Sequence, residues 1–312
     1  MPDGLVFAQA FFASMGVSML VLLTPIAFHR LTGRVRTHDS NAESLQALGS
    51  IAAGIAAGCH VLQFPWTWPP ANAIERFLEL LVPGTLIIHL VSALTSHPEG
   101  KGRLLRQLPS LACPLLILYG SIYLRAPVSI AGRSLPSAIA APLITIACTA
   151  VLLAAVHVTQ SLTRQTSPFV TGLLITLTLP AAGIAIMLAG YIKGGSAAFP
   201  LAGSLLAAVV GLHFIPHNPR RHTLGEIAML VLFGLLMIGH FYGRISLLQA
   251  AGLLGSPLLA AGDLLPRKIR SLRTDTLRFR LLLLALLLSV QLSIAAWEFF
   301  VRMKPLLAEA GA

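Results

Sequence analysis

The chain has 312 residues, of which 56% are hydrophobic and 11% charged, with a mean hydropathy of +0.82. A soluble domain carries about a quarter charged residues, so this composition excludes one and predicts a polytopic membrane protein. The net charge of +11 sits in clusters such as PRKIRSLRTDTLRFR (266–280) that join apolar runs. That placement assigns it to membrane topology and anionic lipid headgroups, and argues against nucleic acid.

In chain order, apolar runs of about 20 residues predict ten helical spans. They lie near residues 5–28, 44–63, 74–95, 108–124, 137–160, 168–190, 198–215, 224–242, 245–264 and 279–301. The expected fold is all-α with about ten transmembrane helices and no soluble domain. The first run has no basic residue before it and no small-residue cleavage site, so it reads as a retained helix. PWTWPP (65–70) follows the second run, and its tryptophans suit the interfacial belt, as does Trp297 in the last run. The cysteines Cys59, Cys113 and Cys148 all fall inside apolar runs and form no CxxC, which excludes a disulfide framework.

Alternating ten spans puts 15 of the 22 lysines and arginines on one side, Lys101, Arg106, Arg164 and Lys268 among them. The other side holds Arg76, Arg125, Arg133, Lys193, Arg244, Arg302 and Lys304. The positive-inside rule then places the richer set in the cytoplasm and both termini on the non-cytoplasmic face of an inner membrane.

Two halves, 1–165 and 166–312, carry matching features. GSIAAGIAAGCHVLQFP (49–65) and GSLLAAVVGLHFIP (203–216) both run from Gly-Ser to Gly-x-His shortly before a proline. ERFLELLVPGTLIIH (75–89) and EIAMLVLFGLLMIGH (226–240) both set a glutamate 14 residues before a histidine, with Gly84 and Gly234 between. Five spans per half would invert the second copy about an axis in the membrane plane. His60 and His240 would then form an outer pair, and His89 and His213 an inner pair.

Ionisable side chains inside apolar spans are costly and face a cavity or a partner. Glu75 and Glu226 stand at span starts, where a carboxylate complements the helix dipole. Glu79 lies one turn deeper and is the candidate proton-carrying group. His89 and His240 join it, because histidine changes charge near physiological pH. The four paired histidines are also candidate metal or haem ligands, two pairs at two depths matching two b-type haems. Cys59 beside His60 is the one cysteine placed to contribute to such a site.

Prolines interrupt the fourth and ninth spans, Pro109 and Pro114 in LPSLACPLLILYG and Pro257 in AAGLLGSPLLAAGD. Carbonyls freed by Pro114 and Pro257 can line a polar site, and interruptions at corresponding places in two halves mark transporter midplanes. In span number, orientation and these two interruptions the chain resembles the five-plus-five inverted carriers of the bile-acid and auxin-efflux type. The resemblance implies a secondary transporter with a site between crossing fourth and ninth helices. Three functions are thus expected: a proton-coupled or small-solute permease, a haem- or metal-binding electron carrier, or a structural subunit packed on membrane-protein partners. Lipid is a partner in each case.

Overall fold

The computed structural model describes residues 4–32, 40–95, 101–119, 121, 128–130, 133–135, 137–213, 221–262 and 277–310. The chain forms α1 (Gly4–Thr32), α2 (Ser40–Val61), α3 (Ala73–Leu94), α4 (Lys101–Leu118), α5 (Ser137–Gln165) and α6 (Pro168–Leu188). It continues through α7 (Ile192–His213), α8 (Arg221–Phe241), α9 (Leu247–Ala260) and α10 (Leu277–Ala310). Two three-residue strands, β1 (Val128–Ile130) and β2 (Arg133–Leu135), pair antiparallel between α4 and α5. The sequence gives no hint of this ribbon. Most of the basic segment, residues 266–276, lies outside the described residues.

Each helix begins near an expected span. Seven of them, α1, α3, α5, α6, α7, α8 and α10, are long and apolar enough to cross a membrane. Three shorter apolar stretches, Leu45–Val61, Leu105–Leu118 and Leu247–Ala260, belong to α2, α4 and α9. The protein is a multi-pass, helical membrane protein.

Side-chain placement fits a hydrocarbon surrounding. α6, α7 and α8 are buried along most of their length and form the centre. α1, α5 and α10 turn large apolar groups outward, among them Phe12, Leu20, Ile146, Leu282, Leu286 and Phe300. Six buried hydroxyls are satisfied within their own helices, while Ser18 of α1 donates across to Ser50 O of α2. Thr85, Thr159, Thr163, Thr176, Thr178 and Ser204 each donate to the carbonyl four residues back. Backbone and side-chain donors in lipid have no water to fall back on, so this self-satisfaction is required.

Small residues set the closest helix approaches. α1, α2 and α7 pack on one another. A methyl group on Gly58 would lie 1.9 Å from Ser14 Oγ and 2.5 Å from Pro200 Cβ. On Gly54 it would lie 2.0 Å from Ser18 Oγ and 2.7 Å from Ser204 Oγ. The GxxxG spacing of α2 therefore has a physical cause, the near-contact of three helix backbones.

The packing gives the five-plus-five symmetry no support. An axis exchanging the halves would match the α5–α8 contact with one between α10 and α3. Among the described residues α5 packs on α8, and α10 packs on α9 and α6 rather than closely on α3. The matched glycines also differ. Gly234 lies against the Phe77 ring, whereas a methyl on Gly84 would meet nothing within 4 Å.

Candidate functional site

Two long spans depart from regular α-helix among the described residues: α7 is interrupted at Ala197, between Ile192–Ser196 and Ala198–His213, and α3 carries a π-helical turn. Residues Ala73–Arg76 are α-helical, Phe77–Leu81 form a π-helical turn, and Val82–Leu94 return to α-helix. The Val82 N–H donates to Phe77 O, five residues back. Pro83 explains the position. It has no N–H to give Glu79 O, and its ring would clash with that carbonyl in a regular helix. Widening the preceding turn relieves both problems, and such turns are frequent at functional sites. α4 and α9, where Pro114 and Pro257 suggested interruptions, run helical through both prolines.

A buried polar cluster surrounds the start of α3. Asn72 caps the helix, its side chain accepting from the Glu75 N–H at 3.0 Å. The Glu75 carboxylate is buried and takes four donors: Thr67 Oγ1 at 3.0 Å, the Ala71 N–H at 3.0 Å, Asn72 Nδ2, and Lys193 Nζ at 3.1 Å. Lys193 comes from the first turn of α7, just after the reversal that ends α6. There Gly190, at φ 94°, closes α6 by a Schellman pattern, with Gly190 N–H on Met187 O and Tyr191 N–H on Ile186 O. That reversal carries Tyr191 and Lys193 back over Glu75.

Arg76 faces the end of α4 and closes its backbone. The last four carbonyls of a helix have no partner within it. Here Leu115 O accepts from the Tyr119 N–H, Leu116 O from Arg76 Nε at 2.9 Å, Ile117 O from the Tyr242 hydroxyl at 2.7 Å, and Leu118 O from the Ser121 N–H. Arg76 also donates to Tyr119 O at 2.6 Å and to Ala71 O at 3.3 Å, and its guanidinium lies over the Tyr119 ring, 5.6 Å from its centre. A cation at a helix C-terminus is electrostatically favoured. Burial pushes the Tyr191 hydroxyl above its ordinary value near 10, and the neighbouring Tyr242 and Glu75 push it further. Burial also raises Tyr242, against the opposing charge of Arg76.

These contacts gather the starts of α3, α7 and α9 and the ends of α4, α6 and α8 at one end of the bundle. Arg302 of α10 adds its end, donating to Arg244 O at 3.1 Å. Arg76, Lys193, Arg244 and Arg302 thus share one end.

Glu79 stands on the π turn beside this cluster, half-buried. Its Oε1 has one long hydrogen bond, from the Thr67 N–H at 3.4 Å. Glu75 is saturated with donors and Glu79 is not.

The histidines lie in four different settings. His60 is exposed at the end of α2. His240 is half-buried, with Nδ1 2.8 Å from Ile245 O. His213 lies on Phe169, ring centres 4.2 Å apart, beside a narrow cleft lined by Leu212 and Leu224. His89 is buried, its Nδ1 without a hydrogen-bond partner. Among the described residues α2 does not pack closely on α8, nor α3 on α7, so the geometry brings neither histidine pair together. Nor do α4 and α9 pack closely on one another, and Pro114 and Pro257 do not frame a shared site. No group of three or more His, Cys, Asp or Glu side chains among the described residues is placed to hold a metal ion. Haem b gains no support from this arrangement.

Sequence reasoning singled out Glu79 and gave Glu75 only a helix-dipole role. It missed Arg76, Tyr191, Lys193 and Tyr242 as members of one cluster. Lys193, a lysine in the otherwise uncharged stretch LAGYIKGGSAAF, was the available signal. The chain matches no protein-family model, no curated protein and no solved structure.

Proposed function

We propose that the protein is a secondary transporter in which Glu79 carries a proton and the Glu75–Lys193 pair gates the non-cytoplasmic mouth. The observation that carries this reading is the contrast at the start of α3 between Glu75, on the α-helical turn and held by four donors, and Glu79, on the π turn that follows and held by a single long bond. Ten crossings, an inner-membrane location and outward termini belong to the same proposal, with α2, α4 and α9 as the short spans.

The chemistry follows from the cost of charge in hydrocarbon. An ionised carboxylate is expensive to move into the bundle, whereas a neutral one is not. Glu79 takes up one proton from the water at its end of the bundle, and loses its charge. A π turn shifts helix register by one residue at low cost, so the segment Phe77–Leu81 is a natural pivot. Breaking the Lys193–Glu75 bond separates the start of α7 from α3 and opens a path for a small solute.

The test is proton flux in vesicles reconstituted with the protein and loaded with a pH-sensitive dye. Panels of small solutes are added under an imposed pH gradient. Solute-dependent lumenal pH change is expected in the native protein and absent in Glu79→Gln. A panel covering acids, bases and neutral metabolites that moves no protons in the native protein overturns the coupling.

A further inference from the structure

At the opposite end of the bundle from the Glu75 cluster, α3 and α4 hold three polar groups that the transport reading leaves unused. His89 is 6% exposed, and its Nδ1 has no hydrogen-bond partner. Ser92 lies three residues later, on the same face of α3. Arg106 of α4 donates through Nε to Ser92 Oγ at 3.1 Å, and its charge acts on the His89 ring. No carboxylate among the described residues pairs with Arg106. Its terminal nitrogens, with their four N–H groups, are left to point elsewhere. An arginine inside a membrane protein ordinarily pairs with an acid or with carbonyls, as Arg76 does here. Among the described residues Arg106 does neither.

We propose that Arg106, Ser92 and His89 form a receptor for an anionic phosphate oxygen ligand at the cytoplasmic end of α3 and α4. The bond to Ser92 fixes the guanidinium plane, so its remaining N–H groups present the fork that matches two phosphate oxygens. His89, in the tautomer with the proton on Nδ1, supplies a further donor from a site closed to water. An unpaired buried donor beside an unpaired cation is costly when empty, and one bound oxyanion satisfies both. Depth agrees with this chemistry. Arg106 is five residues from the start of α4 and His89 five from the end of α3, about 8 Å along each helix axis. That is near the level of lipid phosphates. Two sources share this chemistry, an anionic phospholipid headgroup and a free phosphate compound.

The test is thermal unfolding of the full-length protein in a neutral detergent, with added phosphatidylglycerol, phosphatidylcholine or inorganic phosphate, ionic strength held with chloride. Phosphatidylglycerol alone raising the Tm over phosphatidylcholine assigns the site to a lipid headgroup. Inorganic phosphate raising it as well assigns a soluble anion. In either case Arg106→Gln weakens half-saturation about tenfold or more, the loss expected for a hydrogen bond to a charged group. His89→Asn and Ser92→Ala each cause a smaller loss. If Arg106→Gln does not fold, the two milder variants and the lipid selectivity of the native protein decide. Equal response to all three additives, or selectivity unchanged in the variants that fold, overturns the proposal.

Discussion

Lys193 Nζ lies 3.1 Å from Glu75 Oε1 across 118 residues of chain, joining the start of α7 to the start of α3. The two partners are not equally invested. The Glu75 side chain is 7% exposed and that of Lys193 41%, so the lysine keeps water when the pair breaks and the carboxylate does not.

This asymmetry predicts unequal costs. Lys193→Ala leaves Glu75 with three donors and loses a partly solvated ion pair, about 0.5–1 kcal/mol. Glu75→Ala strips the acceptor from Thr67, Asn72 and the Ala71 N–H at once, about 2–3 kcal/mol. Thermal or denaturant unfolding in one detergent checks the order. Equal losses would mean that the three other donors contribute nothing.

Phe77 and Gly234 provide a test of the π turn's seat. A methyl on Gly234 would lie 2.4 Å from Phe77 Cε2, and Phe77 is fully buried. Gly234→Ala therefore overpacks the α3–α8 contact and costs about 1–3 kcal/mol. Phe77→Leu costs less than that in the Gly234→Ala background, because the shorter side chain leaves room for the methyl. A double-mutant cycle showing simple additivity would contradict the contact.

The raised tyrosines give a pH prediction. Tyr191 and Tyr242 have hydroxyls pushed above the ordinary value near 10. Their folded values exceed their unfolded ones, so their contribution to stability is whole below about pH 10 and is lost as pH rises through the folded values. Of four tyrosines, at least these two ionise later in the folded protein than in denaturant. Ultraviolet titration of tyrosinate in both states checks this, and coincident curves would contradict the burial.

The helices were legible because hydrophobic length is a local property. Ten apolar runs predicted ten helices, and among the described residues a helix starts near each of them. The π turn at Phe77–Leu81 was not legible, since a one-residue widening changes no hydrophobic pattern. Nor was the Lys193–Glu75 pair, because it depends on which helices are neighbours. The histidine pairs show the opposite error. His60, His89, His213 and His240 match in spacing, yet spacing fixes depth along a helix and not the direction a face points. Glu79 drew notice in the sequence because a carboxylate among Leu78, Leu80 and Leu81 has no apolar role, and the structure places it half-buried with one long hydrogen bond.

The central claim is that Glu79 is reached alternately from the two sides of the membrane. Its most direct test is labelling of Glu79→Cys by a membrane-impermeant maleimide from each face of oriented, sealed vesicles. Cys148, the half-buried native thiol, is replaced by serine, while Cys59 and Cys113 are buried. The account predicts labelling from the Lys193 side and, as the bundle alternates, from the opposite side too. Labelling from one side alone, both with and without the solutes of the flux assay, would contradict it.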